Sequence, residues 1–174
     1  MAIPRAITPC LWFDNQAEEV ARFYTGIFKN SKIGKISRYG EAGQEVTHKA
    51  PGSVMMVSFE LDGQPFTALN GGPEFKFNEA VSFIIPCQDQ KEIDYYWDKL
   101  SQGGDPNAQM CGWLKDKFGL SWQVIPAKMD ELLGDPKSEK SQRAMEAMLK
   151  MKKIDIATLE RAYSEPAREP AGRR

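Results

Sequence analysis

Glu19-Val20-Ala21-Arg22-Phe23-Tyr24-Thr25-Gly26-Ile27 returns 73 positions later as Glu92-Ile93-Asp94-Tyr95-Tyr96-Trp97-Asp98-Lys99-Leu100. In both copies the apolar and aromatic positions keep the i, i+3, i+4, i+7 spacing of one helix face. Each copy follows an apolar run that reads as a strand, residues 7–13 and 81–87. A second echo lies 56 positions apart, where Leu61-Asp62-Gly63-Gln64-Pro65-Phe66 parallels Lys117-Phe118-Gly119-Leu120-Ser121-Trp122. The repeated unit is a strand, a helix and a hairpin. The second copy is 17 residues shorter in its middle, where the first has an extra strand and a Gly-rich loop. Two such modules sharing one core make an α+β fold and tend to leave a cavity between them.

Working outward from the first helix, Asp14 or Asn15 offers a cap, and Ala17, Val20, Ala21, Tyr24, Ile27 and Phe28 form the buried stripe. Pro9 cannot donate to a ladder, so the first strand needs an edge or a bulge there. Strands follow over 32–39, 54–61 and 64–69, the last two joined at Asp62-Gly63. The polar stretch 40–52 reads as a mobile loop, and Asn70-Gly71-Gly72-Pro73 as a tight connection. The second module offers a strand at 80–87, a helix over 89–101 with Ile93, Tyr96, Trp97 and Leu100 inward, and strands at 109–115 and 120–125. Beyond it, Asp135-Pro136 opens a methionine-rich amphipathic helix with Met145, Met148 and Met151, and Asp155 caps a short one at 156–163. Methionine stripes mark adaptable core packing or, less often, a partner-binding groove. The resulting division is a first βαβββ module at 1–77, a shorter second one at 78–128, a helical extension at 129–164 and a disordered tail at 165–174.

The 23 basic and 24 acidic residues nearly cancel, so the chain has no overall pull toward nucleic acid or an anionic membrane. No apolar run approaches the length of a membrane span, and Met1-Ala2-Ile3-Pro4-Arg5 does not read as a secretory signal, so a cytoplasmic protein is expected. Cys10, Cys87 and Cys111 are widely spaced with no CxxC, the pattern of reduced thiols rather than of a zinc ribbon or redox pair.

Catalytic material is scarce. His48 is the only histidine and lies in the polar loop, so one chain cannot supply a metal centre of two histidines and a carboxylate. The carboxylate pairs Glu18/Glu19, Glu92/Asp94 and Asp130/Glu131 belong to helix exteriors. Asn70-Gly71-Gly72-Pro73 has no following Lys-Ser/Thr, so it is a turn rather than a phosphate loop, and no GxSxG elbow exists. Cys111, in Met110-Cys111-Gly112-Trp113-Leu114, is either a cavity-lining or a packed thiol, with no neighbouring cation to activate it. Trp12, Phe66, Phe75, Phe77, Trp113 and Trp122 fall on or beside strands of both modules, where they are either cavity walls or ordinary core.

Several runs carry a family resemblance: Thr8-Pro9-Cys10-Leu11-Trp12-Phe13-Asp14, Phe59 to Phe66, Leu69-Asn70-Gly71-Gly72-Pro73, Phe75 to Ala80, and Cys111-Gly112-Trp113-Leu114 through Gln123. Together they resemble the PhnB-like proteins of the vicinal oxygen chelate superfamily (glyoxalase, bleomycin-resistance protein and extradiol dioxygenase). Many of these proteins carry the label 3-demethylubiquinone-9 3-methyltransferase. The resemblance spans about residues 5–163. It implies paired βαβββ modules forming a cupped mixed sheet, usually in a homodimer that can exchange modules between chains. Metal-using relatives take His, Glu or Gln ligands from the first and last strands of each module. The matching neighbourhoods here are Ile7 and Thr8, Thr67 and Ala68, Val81 and Ser82, and Gln123, and only Gln123 is a ligand type. A methyl donor needs a Gly-rich strand-to-helix turn with an acidic ribose ligand, and the chain shows neither.

The expectation is therefore a cofactor-free and metal-free binder of a small apolar or aromatic ligand. The ligand would rest in the cup against Trp12, Phe75, Cys111, Trp113 and Trp122, with polar contacts from Asn70, Ser82 and Gln123. The alternative is an enzyme, either the methyltransferase of the label or a metal-dependent lyase completing its ligands across the dimer.

Overall fold

The computed structural model describes residues 7–165. Its contacts divide the chain into two compact units, Met1–Lys76 and Phe77–Arg174. The fold is mixed α+β with two small mixed sheets and C-terminal helices.

The first unit runs β1 (Cys10–Phe13), α1 (Ala17–Ile27), β2 (Lys32–Arg38), α2 (Gln44–Thr47), β3 (Val54–Leu61) and β4 (Gln64–Asn70). The strand order is β1-β4-β3-β2, with β1 parallel to β4 and the other pairs antiparallel. Strand β1 starts after Pro9, which has no N–H to give, although its carbonyl still accepts from the Thr67 N–H at 2.9 Å. Alternation sends Leu11, Phe13, Val57, Phe59, Leu61, Phe66 and Ala68 to one face, where they bury with Val20, Tyr24 and Ile27 of α1. Phe59 stacks on Phe66 at 5.5 Å. The Gly-rich loop holds one helical turn, α2, and its neck is closed by hydrogen bonds between Tyr39 and Gly52–Ser53.

The second unit runs β5 (Ser82–Cys87), α3 (Gln90–Ser101), β6 (Trp113–Lys115) and β7 (Ser121–Pro126), then α4 (Met129–Leu133), α5 (Glu139–Met148) and α6 (Ile156–Ser164). Its sheet has three strands in the order β5-β7-β6. A 3-10 turn at Pro106–Ala108 replaces the strand that the shorter repeat lacks. Asp89 caps α3 by accepting from the Glu92 N–H at 2.9 Å, and Glu92 reaches back to the Gln88 N–H at 2.8 Å. The core joins Ile85, Leu114, Trp122 and Val124 to Ile93, Trp97 and Leu100, with Tyr96 only half-buried.

The extension belongs to this core. Ile154 and Leu159 are fully buried, and the Gln90 side chain pins the segment by donating to Ile154 O (3.0 Å) and accepting from Ile156 N (2.9 Å). Helix α4 was not legible in the sequence, because five residues are too few for a periodic signal. The methionine stripe flanks the core rather than filling it: α5 buries Ser141 and Ala144, Met148 and Met151 are half-buried, and Met145 is 38% exposed. The tail expected at 165–174 lies outside the described residues except for Glu165. No helix among the described residues is long and apolar enough to cross a membrane.

Candidate functional site

Strand alternation decides which of the singled-out residues share a surface. In the second unit the face opposite α3 carries a row from Ile84 through Gln123 to Trp113 and a neighbouring row from Ser82 through Ser121 to Lys115. Gln123 Nε2 donates to Ser82 Oγ at 2.9 Å. Ile84 is 57% exposed, and Trp113 and Gln123 are half-buried. Ser82, Trp113 and Gln123 therefore come together as a small neutral surface of amide, hydroxyl, aliphatic chain and indole. Trp122 does not join them. It points to the core face, packs against Phe83 and donates its indole N–H to Asp116 Oδ2 at 2.8 Å. Asp116, also buried, accepts from the Phe118 and Leu120 N–H groups through Oδ1 and so organises the turn.

In the first unit the corresponding face carries Trp12, Leu69 and Met56 in one row and Cys10, Thr67 and Ser58 in the next. Phe75, 66% exposed, meets the Trp12 ring edge-on at 4.9 Å. A groove of about 270 Å3 is lined by Thr8, Ser58 and Thr67 and rimmed by the Lys32–Glu60 ion pair at 3.2 Å.

The Asn-Gly-Gly-Pro run has a structural task. Asn70 is buried, and its Oδ1 accepts from the Ala17 N–H at 2.8 Å while its Nδ2 donates to Val54 O at 3.0 Å. Its carbonyl accepts from the Tyr39 hydroxyl at 2.6 Å. Helix α1 is thus capped across 53 residues rather than by Asp14 or Asn15, since the residue at its cap position, Gln16, makes no side-chain cap bond. Gly71 lies directly beneath the Trp12 ring, where any Cβ would collide, and the indole N–H donates to Gly72 O at 2.9 Å.

The Cys-Gly-Trp-Leu run is structural as well. Cys111 and Gly112 have φ of 52° and 83°, and their N–H groups donate to Met151 O and Lys152 O, both at 2.8 Å. A Cβ on Gly112 would come within 2.9 Å of Val124 O. Cys111 is half-buried in this strap. The third thiol, Cys87, is 1% exposed, and burial, with Glu92 and Asp89 adding, pushes it up to about 12.

The model of the 3-demethylubiquinone-9 3-methyltransferase family matches residues 5–125. The chain belongs to this family. The PhnB protein from Bacillus cereus is 36% identical, with a TM-score of 0.59 over 71% of this chain and all of the other. A protein from Pseudomonas aeruginosa is similar in fold at 17% identity, with a TM-score of 0.53 over 69% of this chain and 96% of the other. The fosfomycin resistance protein FosX from Mesorhizobium loti shares the fold at 14% identity and a TM-score of 0.53, over 77% of this chain and all of the other. No protein of curated function matches the chain. This PhnB-like chain thus has a glyoxalase/bleomycin-resistance-type fold of the vicinal oxygen chelate superfamily.

The metal that the superfamily implies finds poor donors at the positions of this PhnB-like chain. Sheet register makes Thr8 and Thr67 the counterparts of Ser82 and Gln123. All four are neutral, and the Gln123 amide is directed at Ser82 rather than held free. A divalent ion needs charged or imidazole donors to compete with water, and this set supplies none. Among the described residues no three His, Cys, Asp or Glu side chains converge. His48, exposed at the end of α2, lies outside both rows. The family label's methyl donor fits no better. The strand-to-helix turns are Asp14-Asn15-Gln16 and Gln88-Asp89, without the glycine that lets a backbone approach a nucleotide.

Proposed function

We propose that this protein binds a small apolar or aromatic molecule without a metal, and that the Ile84–Gln123–Trp113 surface supplies the contact. One observation carries the reading: an exposed isoleucine, an amide and an indole lie in register on adjacent strands, and that amide donates to the Ser82 hydroxyl. A scattered exposed apolar side chain is ordinary, but an aliphatic and an aromatic group flanking a fixed amide form a stacking surface with one oriented polar handle. Trp12 and Phe75 give the first unit a second aromatic surface of the same kind. The polar groups beside Ile84 and Trp113 are an amide and a hydroxyl, which hydrogen-bond a ligand and are neither general acids nor general bases, and this supports binding.

The test is calorimetric titration with 1-naphthalenemethanol, alongside native mass spectrometry of protein purified without chelators. Binding that falls about tenfold in Trp113→Ala and in Ile84→Ala, with folding intact, is the expected result. Stoichiometric metal in the purified protein, binding of a sulfonium methyl donor, or affinity unmoved in both variants overturns the proposal.

A further inference from the structure

We propose that the Ser82–Ser121–Lys115 row is a carboxylate subsite, so that the ligand of the neighbouring apolar row is an aromatic or aliphatic acid whose carboxylate takes the place of Glu79 on Lys115. The inference rests on the binding reading above and names its ligand class. Three observations support it. Ser121 is 1% exposed, and its Oγ has no hydrogen-bond partner among the described residues. A buried hydroxyl without a partner is costly and marks a place where a polar atom from outside belongs. Its register neighbours are Ser82 on β5 and Lys115 on β6, so two hydroxyls and an ammonium line one row across three strands.

The row is rich in donors. Ser82 Oγ already accepts from Gln123, which leaves its own proton to give. The Lys115 ammonium and the Ser121 hydroxyl complete a set that matches a carboxylate. Finally, Lys115 already holds a carboxylate. Glu79, on the turn preceding β5, pairs with it and is 61% exposed. That contact holds the Glu79 carboxyl below its usual range. Glu79 is therefore an internal competitor: an incoming acid exchanges with an exposed side chain and also gives Ser121 an acceptor. The adjoining Ile84 and Trp113 receive the apolar body of that acid.

The opposing effects of two substitutions on one affinity test this. Calorimetry with 1-naphthoate and with 1-naphthalenemethanol compares acid and alcohol on the same ring. The wild type should prefer the acid about tenfold, given the strength of charge-assisted hydrogen bonds. Glu79→Gln should tighten naphthoate about twofold to fivefold by removing the competitor, and leave the alcohol unchanged. Lys115→Met and Ser121→Ala should each abolish most of the preference for the acid. Since Glu79 is exposed, its variant folds normally, and a gain in affinity cannot come from damage. Equal affinity for acid and alcohol, or naphthoate binding unmoved or weakened in Glu79→Gln, overturns the subsite and leaves the binding surface standing. Binding of neither compound overturns both.

Discussion

Replacing Asn70 with alanine should damage the first unit more than the loss of one polar side chain suggests. Two backbone groups lose their partners together: the N–H of Ala17, a residue with no exposed surface, and the half-buried Val54 carbonyl. A buried donor left unpaired costs about 1–3 kcal/mol and a partly wet acceptor less, so the total is about 2–3 kcal/mol. For a chain of this size that lowers Tm by about 4–12 °C. Asn70→Asp separates the two bonds. Its carboxylate still accepts at the N-terminus of α1, where negative charge is favourable, but it cannot donate to Val54. It should therefore cost about 1 kcal/mol, the worth of one ordinary hydrogen bond. Urea unfolding followed by circular dichroism gives the ranking, and hydrogen exchange at the Ala17 amide localises it. An alanine variant within about 0.5 kcal/mol of wild type, a tenth or less of typical domain stability, would refute the cap, as would aspartate no better than alanine. So would a change in ligand affinity alone, which would return Asn70 to the ligand.

Further outcomes concern the second unit and the thiols. Asp116→Ala removes the acceptor of two backbone N–H groups and of the Trp122 indole, and should cost about 3 kcal/mol or more, read by urea midpoint and near-ultraviolet dichroism; no loss would show that the turn holds without it. Cys10, exposed, should react with a disulfide reagent in the native state, and Cys87 only after unfolding. Because the folded state keeps the Cys87 proton up to about 12 against 9.0 for a free thiol, its contribution to stability is full below pH 9 and fades as pH rises toward 12. Cys87→Ala should flatten that alkaline decline, and an unchanged profile would refute the assignment. Truncation after Asp135 removes the buried Ile154 and Leu159 and should unfold the second unit, whereas Gln90→Ala should only weaken the docking of α6, seen as faster exchange at the Ile156 amide. A truncated protein that stays folded would show that the helices are not core.

The two helices of the repeat were legible because the apolar spacing of Val20 to Ile27 and Ile93 to Leu100 is dictated by the core they cover. The Asp62-Gly63 turn and the Asp155 cap were legible for the same local reason: each acts on residues within a few positions of itself. The site was less so. Asn70 looked like a free polar group since its partners, Ala17 and Val54, are far away in sequence. Trp122 looked like a cavity wall, and only the parity of β7 separates it from Gln123. Lys115 and Ser121 passed unnoticed because a cross-strand row has no sequence spacing of its own, although strict alternation along β6 and β7 from Trp113 and Gln123 points to both. The methionines of α5 misled because the helix buries its small residues instead.

The difference in how α1 and α3 are capped also sets an order of events. Helix α3 carries its stop signal within its own first turn, so its N-terminus is complete before any strand pairs. Helix α1 must wait for Asn70, 53 residues downstream of Ala17, and hence for β4 to lie along β1. During synthesis that interval lasts about 3–10 s, in which the first helix exists only as a fraying segment. The N-terminal unit, made first, cannot be finished until its last strand arrives, and aggregation or chaperone capture of nascent chains should concentrate in that window.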